Sequence, residues 1–139
     1  MMIFDVVPGP IDVEAVRRAV DDPGFGAILV FEGVARNDFD GREVRELAYE
    51  AYAEMAVPIL TEIGAEISAQ WPGSRTAIVH RTGRVPIGEP TVVIAVGTPH
   101  RAECYAASRY ALEQLKARVP VWKKEIYTDG SAWKANTPA

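Results

Sequence analysis

Lysine and cysteine are both scarce in this sequence of 139 residues. No lysine occurs before position 116, and three of the four lysines lie between Leu115 and Tyr127. The single cysteine, Cys104, excludes an internal disulfide and a cysteine-rich metal site, and it fits a protein of the reducing cytoplasm. No apolar run approaches the roughly 20 residues that a membrane-spanning helix needs. Because a metal-ligand cluster and a phosphate-cradling glycine loop are also missing, we expect no metal, no cofactor and no membrane association.

Charge is distributed unevenly along the chain. Residues 1–70 hold 14 acidic residues against 5 arginines, a balance of −9, while residues 71–100 carry +2 and residues 101–139 carry +3, giving the net −4. A solvated acidic face with scattered basic residues is the simplest explanation. The acidic total and the lack of a long basic stripe argue against a nucleic-acid partner. The hydrophobic content of 48% is enough for one domain, residues 1–139, with a core of its own.

The hydrophobic pattern predicts an α+β fold with three helices and a mainly antiparallel sheet. The predicted helices are Ile11–Val20, Glu54–Trp71 and Thr98–Val119. The predicted strands are Met2–Val7, Phe25–Ala35, Glu43–Tyr52, Arg75–Arg81, Thr91–Gly97, Val121–Tyr127 and a last strand around Trp133. Phe25–Ala35 is predicted to be a central strand with one bulge or one close backbone approach at its glycines. A turn at residues 37–41 predicts that it forms a hairpin with Glu43–Tyr52.

The stretch Leu115–Tyr127 combines the end of a helix with the start of a strand. Pro120 must end the helix, because proline disfavours helical geometry in the residue before it. A tight reversal there would bring Lys116 and Lys123 together, and such a pair of cations suggests a bound anion. Two solvated lysines lying over apolar surface are the simpler alternative. If both lysines line a half-buried site, desolvation and mutual repulsion should lower a lysine pKa enough for proton exchange.

The segment Thr98-Pro99-His100-Arg101 has the composition of a helix start. Thr98 is predicted to be the N-cap and Pro99 the first helical residue. A cation at the positive end of a helix dipole is unfavourable by roughly 0.3–1 kcal/mol. Arg101 therefore suggests an anion held by His100, Arg101 and free backbone N–H groups. Pairing of Arg101 with an acidic residue from the first half of the chain is an equal alternative.

Three other residues are better explained by structure than by chemistry. Cys104 lies one helical turn beyond His100, and a small buried thiol is a better explanation than a nucleophile because no triad spacing is present. His80 lies in an apolar strand and is predicted to be a hydrogen-bonded core residue. Arg36 follows a strand directly, where arginine is usually solvated or paired at the surface.

Four motifs in order resemble the large, catalytic subunit of molybdopterin synthase. They are Phe31-Glu-Gly-Val-Ala-Arg-Asn37, Val79-His-Arg-Thr-Gly83, Thr98-Pro-His-Arg101 and Leu115-Lys-x-Arg-x-Pro-x-Trp-Lys-Lys-Glu125. The resemblance implies an α/β-hammerhead-like architecture. It also implies that Lys116 and Lys123 are catalytic. The implied substrate-binding residues are Val34, Ala35, Arg36, His100, Arg101, Lys116, Lys123, Lys124 and Glu125.

The activity implied by this resemblance is a sulfur transfer in molybdenum cofactor biosynthesis. The sulfur donor would be the C-terminal Gly-Gly thiocarboxylate of a small ubiquitin-like carrier subunit. The acceptor would be cyclic pyranopterin monophosphate, which becomes the dithiolene of molybdopterin. The family assembles as a homodimer of large subunits within a heterotetramer. Two alternatives stay open, a non-catalytic regulatory module that binds a phosphorylated small molecule and an interaction subunit that docks a partner through Trp122 and Trp133.

Overall fold

The computed structural model describes residues 3–128 and 130–135 of the chain. Its elements are β1 (Phe4–Val7), α1 (Val13–Arg18), β2 (Ala27–Val34), β3 (Asp38–Phe39), β4 (Arg42–Ala51), α2 (Ala53–Gln70), β5 (Arg75–Arg81), β6 (Gly83–Pro86), β7 (Pro90–Thr98), α3 (Arg101–Arg118), β8 (Val121–Tyr127) and β9 (Gly130–Ala135). The predicted α+β class with three helices and mostly antiparallel strands is confirmed. No helix of the described residues is long and apolar enough to cross a membrane.

The first sheet has the strand order β1-β5-β7-β2, and only the β1–β5 pair is parallel. Helices α2 and α3 cover one face of this sheet, while α1 covers the other. Alternate residues of β5 and β7 point into these two layers: Ile78 and Ile94 pack under the long helices, and Val79 and Val93 pack under α1. Burial on both faces explains why both strands are continuous apolar runs in the sequence.

The second sheet is antiparallel, with the order β3-β4-β8-β9, and β6 also pairs with β4. A smaller apolar cluster lies beneath it and includes Ala35, Leu47 and Val85. β8 follows α3 after a single tight reversal, in which the backbone N–H of Val121 donates to the carbonyl of Val119 over 2.9 Å. This reversal at Pro120 is the one that the sequence predicts, and it joins the helix that carries Lys116 to the strand that carries Lys123.

The predicted hairpin between the strand ending at Ala35 and the strand Glu43–Tyr52 is wrong. β2 pairs with β7 and lies at the edge of the first sheet, whereas β4 pairs with β8 in the second sheet. The chain between them forms its own two-residue strand, β3, which pairs with the start of β4. The pattern of apolar residues could not distinguish these pairings, because any two neighbouring strands satisfy it. The bulge predicted in β2 is confirmed between Gly33 and Val34.

Thr98 is not the N-cap of α3. It is the last residue of β7, opposite Ala27, and its hydroxyl donates to the carbonyl of His100 over 2.6 Å. His100 occupies the N-cap position with φ −128° and ψ 149°, and its side chain makes no capping hydrogen bond. Pairing of β7 with β2 keeps Thr98 in an extended conformation, so the helix begins two residues later than its capping pattern suggests. Met2 and Asp129, and the side chain of Trp133, lie outside the described residues.

Candidate active site

A cavity of about 310 Å³ lies between the two sheets and the last turns of α3. Its cations are Arg36, Lys116 and Lys123, and its wall also includes the acidic residues Asp38 and Glu125. The other lining residues are Phe31, Gly33, Val34, Phe39, Leu47, Tyr49, Thr91, Val92 and Leu112. Within residues 3–128 and 130–135, none of the three cations forms a salt bridge with a carboxylate. The cavity therefore carries three cations against two carboxylates and presents a net positive charge to a ligand.

Lys116 and Lys123 reach this cavity from the two sides of the reversal at Pro120. Lys116 lies in the last turn of α3 and is half-buried. Desolvation lowers the pKa of Lys116, and the positive charge of Lys123 lowers it further. Lys123 lies on β8, with its Nζ 5.8 Å from the centre of the Phe39 ring. The predicted meeting of the two lysines and the predicted lowering of a lysine pKa are both present in the structure.

The side chains of β8 alternate between the cavity and the opposite face of the sheet. Lys123 and Glu125 line the cavity, whereas Lys124, between them, is not among its lining residues. Lys123 stands opposite Tyr49 of β4, and Glu125 stands opposite Leu47. Glu125 is 2% exposed and accepts a hydrogen bond from the hydroxyl of Tyr127 over 3.1 Å. Glu125 is thus a buried carboxylate two residues from a cavity lysine, consistent with the hypothesis that it orients a lysine.

Two aromatic side chains form the layer next to Lys116. The rings of Tyr49 and His80 meet edge to face, with centroids 5.1 Å apart. His80 is 3% exposed, and its Nδ1 lies 2.9 Å from the carbonyl of Arg81. Burial lowers the pKa of His80 to about 4, and the nearby charge of Lys116 contributes in the same direction. His80 is therefore a neutral, hydrogen-bonded core residue, as the sequence predicts.

The end of β2 supplies the third cation. Val34 is 51% exposed, Ala35 is 2% exposed, and the exposed Arg36 follows them. Val34 and Arg36 line the cavity, while the side chain of Ala35 packs into the apolar cluster beneath the second sheet. The resemblance groups all three residues as a substrate contact. The structure places two of them at the cavity and makes Ala35 the anchor between them.

His100 and Arg101 lie at the other end of α3. The helix rises about 1.5 Å per residue, so the backbone of Arg101 is about 22 Å from that of Lys116 along the axis. His100 lines a separate cavity of about 440 Å³ together with Trp71, Ser74 and Glu103. Both residues are exposed. One chain therefore does not bring the two predicted groups of anion-binding residues to the same cavity.

Cys104 is buried, as predicted. It is 2% exposed, and its Sγ donates to the carbonyl of Val96 over 3.1 Å. It packs in the core cluster between the long helices and the first sheet and does not line the cationic cavity. Within the described residues, the cavity therefore offers no cysteine as a nucleophile.

Sequence reasoning missed Tyr49, Thr91 and Leu112 as cavity residues. Burial raises the pKa of Tyr49, whose hydroxyl also hydrogen-bonds Thr91. The hydroxyl of Thr91 donates to the carbonyl of Gly33 over 3.1 Å, which ties β7 to β2 at the bulge. Each of these residues fits an ordinary strand or helix pattern. Only the meeting of β4, β7 and α3 around one cavity distinguishes them from core residues.

This arrangement suits a reaction in which two anions meet and protons are exchanged. Fixed cations in a partly desolvated cavity stabilise negative charge more strongly than they would in water. Desolvation in such a cavity lowers the pKa of a lysine, and a lowered pKa favours its use as a proton donor and acceptor.

Comparisons with known proteins identify relatives along nearly the whole chain. Residues 6–118 match the family model described as MoaE protein. A molybdopterin synthase catalytic subunit of Bacillus subtilis is 46% identical over 130 residues, which cover 94% of this chain and 83% of that protein. A molybdopterin synthase catalytic subunit of Staphylococcus carnosus is 45% identical over 133 residues, covering 96% of this chain and 89% of that protein.

Solved structures agree with these relationships. The crystal structure of molybdopterin synthase from Staphylococcus aureus superposes with a TM-score of 0.92 at 45% identity, covering 96% of this chain and 98% of that one. A protein–protein complex of subunits 1 and 2 of the molybdopterin-converting factor from Helicobacter pylori matches with a TM-score of 0.77 at 18% identity, covering 93% and 88%. This second likeness supports the fold alone.

Proposed function

Since the chain belongs to the MoaE family of molybdopterin synthase catalytic subunits, we propose a specific reaction for its cationic cavity. The protein transfers sulfur from the C-terminal thiocarboxylate of a small ubiquitin-like carrier to cyclic pyranopterin monophosphate. Each transfer leaves the carrier with a carboxylate in place of its thiocarboxylate, and two transfers build the molybdopterin dithiolene. The large subunits form a homodimer with a carrier at each end, a heterotetramer working in the cytoplasm.

One observation carries this proposal. Three cations that form no salt bridges among the described residues line the same cavity, and its lining residues include no cysteine. Both proposed substrates are anionic, one through its cyclic phosphate and the other through its thiocarboxylate. Bringing two anions together in water is opposed by their repulsion, and a preorganised positive cavity offsets that repulsion. The thiocarboxylate sulfur is itself the nucleophile, which explains why the only cysteine is buried elsewhere.

The three cations divide between the two substrates. Lys116 and Lys123 hold the thiocarboxylate and exchange protons as sulfur adds and oxygen leaves. Desolvation and the charge of Lys123 lower the pKa of Lys116, which favours this lysine as a proton donor and acceptor. Arg36 binds the phosphate, because a guanidinium keeps its charge and offers a planar fork to phosphate oxygens.

His100 and Arg101 complete the phosphate site from a second copy of the chain. Their distance from Lys116 along α3 prevents them from serving the same cavity in one chain. A two-fold dimer would bring the N-terminal end of α3 in one subunit towards the cavity of the other, giving two equivalent shared sites.

The central experiment supplies the purified protein with a thiocarboxylated carrier and the pterin precursor. We expect dithiolene product in the presence of both substrates. Binding of the precursor without product, under conditions that support a relative from Staphylococcus aureus, would instead indicate the regulatory module. Binding of the carrier without product would indicate the interaction subunit.

Mixing two impaired variants tests the shared site, when activity is measured at a precursor concentration well below KM, where Arg101→Ala is slowed about tenfold. In a heterodimer of Lys116→Ala and Arg101→Ala chains, one cavity carries both changes and the other carries neither. Random reassociation should therefore restore about a quarter of the wild-type activity if each site uses both subunits. If His100 and Arg101 served only their own chain, every cavity would keep one defect, and the mixture would be no more active than its components.

A further inference from the structure

A buried arginine lies behind the end of β2, outside the cavity. Arg81, the last residue of β5, is 6% exposed. Its Nη1 donates to Oε1 of Glu89 over 2.8 Å, and its Nη2 donates to the carbonyl of Arg84 over 2.8 Å. The Glu89 side chain is 45% exposed. Neither residue lines the cationic cavity, and the mechanism above gives them no role.

The turn that carries Glu89 is bonded on both sides to Ala35. The N–H of Ala35 donates to the carbonyl of Glu89 over 3.0 Å, and the N–H of Gly88 donates to the carbonyl of Ala35 over 2.8 Å. A third bond, from the N–H of Glu89 to the carbonyl of Pro86 over 3.1 Å, closes the turn on itself. Gly88 has φ +88°, a conformation that glycine adopts without strain. Ala35 is therefore fixed by the turn 86–89.

Ala35 is the last buried residue of the chain before Arg36. β2 bulges between Gly33 and Val34, and the regular pairing with β7 ends there. Beyond Ala35, the chain enters the loop that contains Arg36, which is exposed. The long arginine side chain amplifies any movement of its backbone, so the precision of the guanidinium depends on how firmly Ala35 is held.

We propose that the Arg81–Glu89 ion pair is a positioning device for Arg36. It ties the turn 86–89 to the end of β5, and the turn holds Ala35 through its two backbone hydrogen bonds. The pair thereby fixes the arginine that receives the phosphate. Only the kinetic consequence rests on the proposed function, because the geometry of the tie is independent of the reaction.

Glu89→Ala removes the tie, and Glu89→Gln retains a side-chain acceptor for Nη1 of Arg81. Glu113→Ala is the matched control, since it removes an ion pair of the same 2.8 Å length, with Arg109, from the exposed face of α3. Hydrogen exchange of the Ala35 and Gly88 amides should accelerate by about tenfold in Glu89→Ala. It should change by less than about twofold in Glu89→Gln and Glu113→Ala.

Kinetics then test the link to Arg36. Glu89→Ala should raise the KM for the pterin precursor by about fivefold, the size of one partly exposed ion pair, with kcat within about twofold of wild type. In an Arg36→Ala background, Glu89→Ala should alter KM by less than about 1.5-fold. Glu89 acts on KM only through Arg36, so the effects of the two substitutions are not additive. The Gln variant should restore KM to within about twofold of wild type.

Three results would overturn the positioning role. They are unchanged amide exchange in Glu89→Ala, a fall in kcat rather than a rise in KM, and effects of Glu89→Ala and Arg36→Ala on KM that multiply. If the wild-type protein transfers no sulfur at all, the proposed function fails, and amide exchange alone then decides whether the pair holds Ala35.

Discussion

The two ends of α3 carry similar charges in different surroundings. At the C-terminal end, Lys116 is half-buried beside Lys123, and its pKa is lowered by desolvation and by that neighbour. At the N-terminal end, His100 and Arg101 are exposed to solvent. A lowered pKa favours proton exchange by a desolvated lysine, whereas an exposed arginine can only attract and orient an anion. We therefore expect proton exchange at the C-terminal end of the helix and anion binding at its N-terminal end.

Removing either lysine at the C-terminal end should have the largest effect. Lys116→Ala and Lys123→Ala should each slow sulfur transfer by at least about 100-fold, the usual contribution of a proton-exchanging group. The free energy of unfolding should change by less than about 1 kcal/mol, because neither lysine forms a salt bridge within the described residues. Single-turnover rates with thiocarboxylated carrier and chemical denaturation measure the two quantities.

Lys124→Ala is the control for this prediction, since Lys124 occupies the same strand but not the cavity. It should keep more than about half of the activity, within the small range typical of surface substitutions. If Lys124→Ala reduced activity as much as Lys123→Ala, the two faces of β8 would not differ in their importance for sulfur transfer.

His80 reports the desolvation beneath the C-terminal end. Its pKa is about 4 in the folded protein and about 6.5 in the unfolded chain, so protonation favours unfolding. His80 should therefore reduce the free energy of unfolding as pH falls from about 6.5 towards 4, by about 2 kcal/mol between pH 7 and pH 5. Above pH 7, it should contribute no pH dependence.

His80→Gln isolates this contribution, because glutamine does not titrate. Denaturant unfolding at pH 7 and pH 5 gives the change in the free energy of unfolding for each protein. Subtracting one change from the other cancels the contribution of the carboxylates common to both. Equal loss of stability in the two proteins would show that His80 is protonated in the fold without penalty, and that this end of α3 is better hydrated than its burial implies.

At the N-terminal end, Arg101→Ala should weaken binding more than it slows chemistry. On the proposed assignment of Arg101 to the phosphate of the pterin precursor, KM for the precursor should rise by about tenfold, while kcat stays within about twofold of wild type. Steady-state kinetics at saturating carrier measure both. A normal KM with a collapsed kcat would place Arg101 at the reacting carbon and remove the distinction between the two ends.

The sequence predicted the C-terminal end of α3 more accurately than the N-terminal end. Proline strongly disfavours helical geometry in the residue before it, so Pro120 ends α3 and determines the reversal at which Lys116 meets Lys123. Helix capping is a weaker preference, worth about 1 kcal/mol. At Thr98, it is outweighed by strand pairing with Ala27.

Sheet pairing and cavity lining could not be predicted from local patterns. The hairpin expected for β2 and β4 failed because alternation shows which face of a strand is buried and not which strand lies beside it. Tyr49 has the same local pattern as a core residue, and it lines the cavity only because β4 lies beside β8. The role of Arg81 depends on a turn eight residues later in the chain. The motifs of the family supplied the cations, and tertiary structure determined which of them share a cavity.

The smallest effect is expected at Cys104, which lies in the first half of α3, between the two ends of the helix. Cys104→Ser should keep sulfur-transfer activity within about twofold of wild type, because the thiol is buried and hydrogen-bonded to Val96, and serine offers the same donor. A modest loss of stability, about 1 kcal/mol, is expected from placing a hydroxyl in an apolar site. In the competing mechanism, the Cys104 thiol attacks the carbonyl carbon of the thiocarboxylate, forms a thioester with the carrier and releases hydrosulfide, which adds to the pterin. Intact mass of the wild-type protein during turnover separates the two mechanisms. A covalent adduct of the carrier on this chain, together with a folded but inactive Ser variant, would show that the nucleophile belongs to this protein and not to its partner.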